Sequence, residues 1–158
     1  MAVGGGWIIG RRVRPILERL AVLVCPPELA ELGLTPSLIR DFELHVSCLP
    51  PVARRLTAPA LRFFDQATRL RPASRGHRFV RLDDGRADAY LRHVLYGRSG
   101  PVATAIRLVK GLLVLCYYEL PEVKAILGYD PDSYVAEVTA RRLARHGPAI
   151  RAAEEADP

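Results

Sequence analysis

Residues 100–121 read GPVATAIRLVKGLLVLCYYELP and predict one long apolar helix between two prolines. The helix is expected to begin at Pro101 and to run to about Glu119. After Lys110 its sequence is apolar nearly all round, which is typical of a helix at the centre of a domain or of one with a second face against a partner. The apolar residues 111–118 are too few to cross a bilayer, which requires about 20. No membrane span is therefore predicted.

The other helices are indicated by prolines and by apolar residues spaced three and four positions apart. One of them is expected to start at Pro59 and to bury Phe63, Phe64 and Leu70 on one face. Patterns that alternate polar and apolar residues, which would predict strands, are nearly absent. The predicted segments, apart from the apolar helix, cover residues 16–24, 35–49, 60–70, 87–95, 121–127 and 131 to about 146.

The sequence therefore predicts an all-α fold, a single compact domain of six or seven helices. At 158 residues the chain is long enough for one domain with a substantial core and short for two. The hydrophobic fraction of 49% excludes a disordered chain. The expected division is a flexible leader at residues 1–14, the helical domain at 15–150 and an acidic tail at 151–158.

The charge of the chain is positive and unevenly distributed. There are 23 Lys and Arg residues against 17 Asp and Glu, a formal net charge of +6, and only Lys110 and Lys124 are lysines. Residues 54–81 hold eight arginines and one aspartate, which indicates a basic helical nucleic-acid-binding module as an alternative function. These arginines are spread over several turns and a loop rather than concentrated on one face. A nucleic-acid partner is therefore not our main prediction.

No group of residues has the spacing of a catalytic or cofactor site. The glycines at 4–6 and Gly10 lack the preceding strand and the Gly-Lys-Ser/Thr sequence of a phosphate loop. His45 and Cys48 have the spacing of two metal ligands on one helical face, but no second pair follows at a useful distance. We therefore predict that this chain has no catalytic residue, cofactor or metal of its own.

The cysteines and the N-terminal residues indicate a cytoplasmic chain. The three cysteines are well separated and outside CxxC pairs, as expected for reduced thiols that serve as small apolar residues. Arg11 and Arg12 precede an apolar stretch, but Pro15 and charged residues interrupt it, and no small-residue cleavage site follows. An export signal is therefore not predicted.

Residues 117–134 read YYELPEVKAILGYDPDSY and contain four of the six tyrosines, two prolines and a glycine. Tyrosine combines a large apolar ring with a polar tip, so it is common at protein interfaces. Two interpretations stay open for these tyrosines. They contact a partner, or they pack a corner between two helices, and each can hold for different rings.

The last helix offers a second indication of a partner. At 100° per residue, Tyr134 and Val138 fall on one side with several arginines, and Ala136, Ala140 and Leu143 fall on the other. We expect the small apolar side to pack on the domain and the tyrosine and arginine side to face outward, because tyrosine and arginine are enriched at interface hot spots. A solvated basic face is the alternative.

An apolar helix that leads into Tyr-Tyr-Glu-Leu-Pro at 117–121, followed by Leu-Gly-Tyr-Asp-Pro-Asp at 127–132, resembles the C-terminal signature of the gluconate 2-dehydrogenase subunit 3 family. Members of this family are small (gamma) subunits of bacterial membrane-associated sugar and alcohol dehydrogenases. The order of the upstream segments is also similar, with a Phe-Phe helix at residues 63–64 and with Phe79 before the Tyr90 helix.

The resemblance implies a non-catalytic accessory subunit. Such a subunit binds and stabilises or matures a larger FAD-dependent alcohol, sugar or sterol dehydrogenase of the glucose-methanol-choline superfamily. FAD is expected in that catalytic partner and not in this chain. Many relatives carry a twin-arginine export signal, which is not predicted here, so we expect a cytoplasmic hetero-oligomer.

The interface with that partner is expected to include most of the distinctive residues after the apolar helix. A further hypothesis is that residues 111–118 line the entrance for a lipid-sized substrate in the complex. The residues expected at the partner interface are Tyr117, Tyr118, Glu119, Pro121, Tyr129, Asp130, Pro131, Tyr134, Arg141, Arg142 and Arg145.

Overall fold

The computed structural model describes residues 9–97 and 100–156. Within these residues there are eight α-helices, three short 3-10 helices and no strand. The α-helices are α1 (Arg14–Val24), α2 (Glu28–Glu31), α3 (Thr35–Ser47), α4 (Pro51–Ala67), α5 (Asp84–Tyr96), α6 (Pro101–Glu119), α7 (Pro121–Leu127) and α8 (Pro131–Ala156). The 3-10 helices are Thr68–Leu70, Pro72–Ser74 and Phe79–Arg81.

The all-α class predicted from the sequence is confirmed. Seven of the helices correspond to the predicted segments, and the additional one, α2, is a single turn of four residues that is too short to produce a periodic apolar pattern. Proline lies in the first turn of α1, α3, α4 and α6. Its missing N–H has no intrahelical acceptor at that position, and its fixed backbone angle already suits a helix.

Helix α4 differs from the prediction. It begins at Pro51, and Pro59 lies inside the helix instead of starting it. A proline inside a helix removes one backbone hydrogen bond and crowds the carbonyl four residues earlier, so a start at Pro59 is the simpler expectation from sequence alone. The predicted buried face is only partly correct, because Phe64 is fully buried while Phe63 and Leu70 are 59% and 86% exposed.

The described residues form two compact units that divide between Leu120 and Pro121. In the first unit, α6 is the central helix and packs against α1, α3, α4 and α5. Its fully buried side chains include Ile106, Leu113 and Cys116. By length and composition alone α6 could also cross a membrane, a criterion that buried core helices meet as well. Its contacts with four neighbouring helices agree with the predicted central position.

Three aromatic rings join α4, α5 and the 3-10 helix Phe79–Arg81. The ring centroids of Phe64 and Phe79 are 4.7 Å apart, and the centroid of Tyr90 lies 4.8 Å from that of Phe64. Phe64 and Phe79 are fully buried, and Tyr90 is nearly so. Phe64, Phe79 and Tyr90 therefore form one core cluster.

Asp65 is a buried carboxylate that holds the same 3-10 helix in place. Its Oδ1 accepts a hydrogen bond from the backbone N–H of Val80 at 3.2 Å, and its Oδ2 lies 3.9 Å from the guanidinium of Arg78. A buried carboxylate requires such partners, because removal of its charge from water is unfavourable without them. The one aspartate of the arginine-rich segment thus has a structural role.

The packed part of the first unit begins nearer the N-terminus than the sequence predicts. Ile9 and Val13 are buried, and the backbone N–H of Ile9 donates to the carboxylate of Glu43 at 2.8 Å. Of the predicted flexible leader, residues 1–8 lie outside the described residues. Residues 9–14 include these buried side chains and belong to the first unit.

The second unit consists of α7 and α8. Helix α8 extends from Pro131 to Ala156, so its backbone continues into the predicted acidic tail at 151–158. The last two residues of that tail lie outside the described residues. No side chain between residues 131 and 149 is buried. This long helix is therefore open to solvent along its described side chains.

Candidate functional site

The predicted interface begins at the last turn of α6, where two adjacent tyrosines have different environments. Tyr117 is 5% exposed, whereas Tyr118 is 48% exposed. The two rings meet edge to face, with their centroids 5.2 Å apart and their planes at 76°. Tyr117 therefore belongs to the core, and Tyr118 is accessible to a partner.

The buried position of Tyr117 does not agree with its predicted place at the partner interface. Burial raises the pKa of its phenol, and the nearby carboxylate of Glu28 raises it further. Both effects favour the neutral phenol, as suits a core position. Successive residues on an α-helix lie about 100° apart, so only one of two adjacent tyrosines can face away from the packed side.

Glu119 and Pro121 lie at the junction of the two units. Glu119 ends α6 and Pro121 begins α7, and both side chains are exposed. Leu120, between them, is buried. Both expected interface residues are therefore accessible at the surface.

The first residues between α7 and α8 serve to end α7. Gly128 has a φ of 62°, a left-handed conformation that glycine adopts without strain. The backbone N–H of Tyr129 donates to the carbonyl of Lys124 at 3.0 Å, and that of Gly128 donates to the carbonyl of Ala125 at 3.2 Å. This pair of hydrogen bonds is a Schellman motif, which ends α7.

Asp130 and Pro131 then start α8. The two carboxylate oxygens of Asp130 accept hydrogen bonds from the backbone N–H of Ser133 at 3.2 Å and from its hydroxyl at 2.8 Å. These hydrogen bonds lower the pKa of Asp130, whose ionised form is the N-cap of the helix. The Leu-Gly-Tyr-Asp-Pro sequence is thus largely a helix stop and restart. The side chain of Tyr129, which is 60% exposed, takes no part in this stop and restart.

Exposed aromatic and basic side chains follow along α8. Tyr134 is 68% exposed, and Arg142 and Arg145 are exposed as well. Arg141 forms an ion pair with Glu137, with 2.6 Å between Nη2 and Oε1. Ion pairs of this exposed type contribute little to stability, so Arg141 is available to another carboxylate.

The expectation that the small apolar side of α8 packs on the domain stays a prediction. Ala136, Ala140 and Leu143 are exposed, as is Tyr134, so exposure does not distinguish the two sides of this helix. Within the second unit, the structure brings Tyr134 onto the same side of α8 as Arg141 and Arg145, about two and three helical turns further along.

His45, one of the two residues considered for a metal site, has other contacts. The Nδ1 of His45 lies 2.9 Å from the backbone carbonyl of Asp41 and 3.6 Å from the Sγ of Cys116. Cys48 is exposed. Within the described residues, no group of three or more side chains has a geometry that could hold a metal ion.

Two of the three thiols are buried close to α6. Burial raises the pKa of Cys25 to about 12 and that of Cys116 to about 11. The thiolate is the reactive form of cysteine, so both side chains behave as small apolar residues. All three cysteines are free thiols, and Cys48 is the exposed one.

An exposed apolar surface on α4 is the feature that the sequence interpretation missed. Val52, Leu56, Phe63 and Leu70 are between 58% and 86% exposed. The spacing of these residues could have revealed the surface, because an arginine precedes Leu56, Phe63 and Leu70 at intervals of seven residues. The buried residues lie on the opposite side of the same helix, so α4 has one buried face and one exposed apolar face.

No protein-family model matches this sequence, and no curated protein or solved structure matches it either. The resemblance to the gluconate 2-dehydrogenase subunit 3 family therefore rests on the motifs at residues 117–121 and 127–132 and on the order of the helices. The structure adds the exposure of the individual side chains, from which a functional proposal can be argued.

Proposed function

We propose that this protein is a non-catalytic accessory subunit that binds a larger, FAD-containing dehydrogenase of the glucose-methanol-choline superfamily. In this proposal the catalytic partner holds the flavin, and the present chain stabilises or matures it. The substrate is an alcohol, a sugar or a sterol, bound by the partner. The chain contributes a binding surface and no reacting group.

The observation that carries the proposal is the exposure of large apolar side chains between residues 118 and 135. The exposed members are Tyr118, Ile126, Leu127, Tyr129, Tyr134 and Val135. Isolated exposed apolar residues are ordinary, but their concentration in one stretch of the sequence supports a role in protein binding. This is also the segment whose motifs resemble the small-subunit family.

The charged residues of α8 support the same surface. Arg141, Arg142 and Arg145 are exposed and follow Tyr134 along the helix. Arginine and tyrosine are over-represented among residues that dominate binding energies. An acidic surface on the partner would complement this basic helix and would speed association at low salt.

A cytoplasmic complex is part of the proposal. The chain's three cysteines are free, and two of them are buried, as in proteins of a reducing compartment. Residues 111–118 are a secondary candidate for lining a substrate entrance, since Leu115 and Tyr118 are about half exposed.

The test is purification of the tagged chain at its natural expression level from the organism that encodes it. We expect a larger protein with flavin absorbance to co-purify at a fixed ratio, and the chain expressed alone to be colourless. The absence of any flavoprotein from the stable complexes of this chain would overturn the proposal.

Nucleic-acid binding is the competing outcome. It is tested by titrating the isolated chain with fluorescent DNA and RNA duplexes at several salt concentrations. A salt dependence with a slope of about −0.9 per neutralised phosphate would replace the subunit proposal with a nucleic-acid-binding function. Under our proposal, duplex binding is weak and independent of Tyr129 and Tyr134.

A further inference from the structure

Helix α4 carries an exposed apolar row with the spacing of a coiled-coil seam. The row consists of Val52, Leu56, Pro59, Phe63 and Leu70, which are separated by four, three, four and seven residues. All five are exposed, and the last lies in the 3-10 helix Thr68–Leu70, which directly continues α4. Alternating spacings of three and four residues keep side chains on one side of a helix.

An arginine row runs beside the apolar row. It consists of Arg55, Arg62 and Arg69, each of which immediately precedes a large apolar member of the row. All three are exposed, and none forms an ion pair within the part of the chain that the structure describes. In coiled-coil terms they occupy the position that pairs with an acidic residue of a facing helix.

The opposite flank of the apolar row is made of small residues. Ala53, Ala60 and Ala67 repeat at the same interval of seven and are half-buried. On this flank α4 and the start of α6 form a groove of about 270 Å³, and its lining includes Phe63 and Val102. A second groove of about 420 Å³ adjoins it, since both are lined by these two residues. The apolar surface is therefore concave, with arginines along one edge only.

We propose that the apolar row and the arginine row of α4 together bind an amphipathic helix of a partner protein, one whose apolar residues are flanked by acidic side chains. Apolar side chains of that helix enter the grooves between α4 and α6, in the helix-in-groove mode. Its carboxylates face Arg55, Arg62 and Arg69. The occupant follows from charge complementarity, because residues 51–70 contain four arginines and a single carboxylate, the buried Asp65.

Other occupants fit this surface less well. A second copy of α4 would bring three further arginines and no accessible carboxylate from the same helix, so the two rows would repel each other. A nucleic acid would neutralise the arginines and leave the apolar row without a partner. A lipid surface would be bound more favourably by an apolar stripe with arginines on both sides, whereas the stripe on α4 has them on one side only.

This inference is independent of the proposed flavoprotein. The α4 surface contains none of the residues expected at the interface around α6, α7 and α8. The failure of one proposal therefore leaves the other unchanged, and the two are tested with different ligands.

The test uses the full chain and a fluorescent peptide of three heptads, with leucine at the two seam positions and glutamate at the flanking positions. A matched peptide replaces every glutamate by lysine, and a third replaces every leucine by serine. We expect saturable binding of the glutamate peptide only, measured by fluorescence anisotropy. The pair of substitutions Phe63→Ser and Leu70→Ser should weaken binding by about tenfold or more, while circular dichroism shows an unchanged helical content.

Reversal of the charges of the arginine row gives the most specific test. The variant Arg55→Glu/Arg62→Glu/Arg69→Glu should lose the glutamate peptide and gain the lysine peptide, which a change in folding alone would not produce. The control Arg11→Glu/Arg12→Glu/Arg40→Glu makes the same change in net charge at exposed positions before α1 and on α3. It should still bind the glutamate peptide.

Three outcomes would overturn the proposal. The first is no binding of either charged peptide, and the second is equal loss of binding in the two charge-reversed variants. The third is preferred binding to a DNA duplex or to phosphatidylserine vesicles that depends on the same α4 residues. In that case the surface belongs to a nucleic acid or a membrane.

Discussion

The phenol of Tyr90 donates a hydrogen bond to the backbone carbonyl of Phe64, 3.1 Å away. The two rings also pack together, with centroids 4.8 Å apart, so one tyrosine ties α5 to α4 through both its ring and its hydroxyl. Arg71 directly follows the 3-10 helix Thr68–Leu70, and its guanidinium carbon lies 5.6 Å from the centre of the Tyr90 ring. This contact joins the chain after α4 to the core.

Removal of that hydroxyl provides a test of the core. The substitution Tyr90→Phe should lower the free energy of unfolding by about 1 kcal/mol, since it removes one hydrogen bond and keeps the ring. The substitution Tyr90→Ala should lower it by about 3–5 kcal/mol, because it also leaves a cavity. Urea unfolding followed by circular dichroism measures both. Tyr96→Phe, at an exposed tyrosine on the same helix, is the control and should change stability by less than about 0.5 kcal/mol.

Alkaline pH should destabilise the protein through the same residue. Burial raises the pKa of Tyr90 from 10.0 to about 12, so the unfolded chain loses this proton before the folded chain does. The stabilisation is fully present below pH 10 and is lost as the pH rises towards 12. We expect the urea midpoint to fall over this range, and to fall less steeply in Tyr90→Phe. Identical pH profiles for the two proteins would contradict the burial of this phenol.

Thiol chemistry should distinguish the three cysteines. Cys48 is exposed, while burial raises the pKa of Cys25 to about 12 and that of Cys116 to about 11. A thiol reagent such as Ellman's reagent should therefore label one cysteine rapidly in the native protein and all three in denaturant. The variant Cys48→Ser should show no rapid phase. Any rapid labelling in that variant would mean that the core around α6 opens readily.

The exposed tyrosines of the second unit should be important for binding the catalytic partner. The pair Tyr129→Ala and Tyr134→Ala should weaken the complex by about tenfold or more, because exposed aromatic side chains are frequent hot spots. The matched control is Tyr96→Ala, which removes a tyrosine from α5 that is at least as exposed as either of these two. Pull-down of the partner with each variant, alongside circular dichroism, makes the measurement. Unchanged binding by the folded double variant would remove these two residues from the interface.

Much of the fold could be predicted because proline marks the helix starts so clearly. Pro101, Pro121 and Pro131 each begin a helix at the predicted position. The same rule fails at Pro59, where α4 continues unbroken despite the missing backbone hydrogen bond, and its buried side packs against α1 and α6. Such tertiary compensation leaves no local signal in the sequence.

The candidate interface could be located from sequence but not resolved residue by residue. The abundance of tyrosine indicated the segment, yet only the packed structure separates the buried Tyr117 from the exposed Tyr118. Two members of the motif, Gly128 and Asp130, are explained by turn and cap geometry, which a single sequence cannot distinguish from binding. On α8, the small apolar side and the tyrosine and arginine side are both exposed, and an amphipathic pattern alone does not state what covers either of them.

The regular interval between Arg55, Arg62 and Arg69 limits how the length of α4 can change during evolution. Insertion or deletion of one residue within this helix would rotate everything beyond it by about 100°. The later arginines would then leave the edge of the groove, and the buried Asp65 contacts would be lost as well. Homologous chains should therefore tolerate many substitutions on this surface while they keep the length of α4 constant, and any change in length should come as a whole heptad.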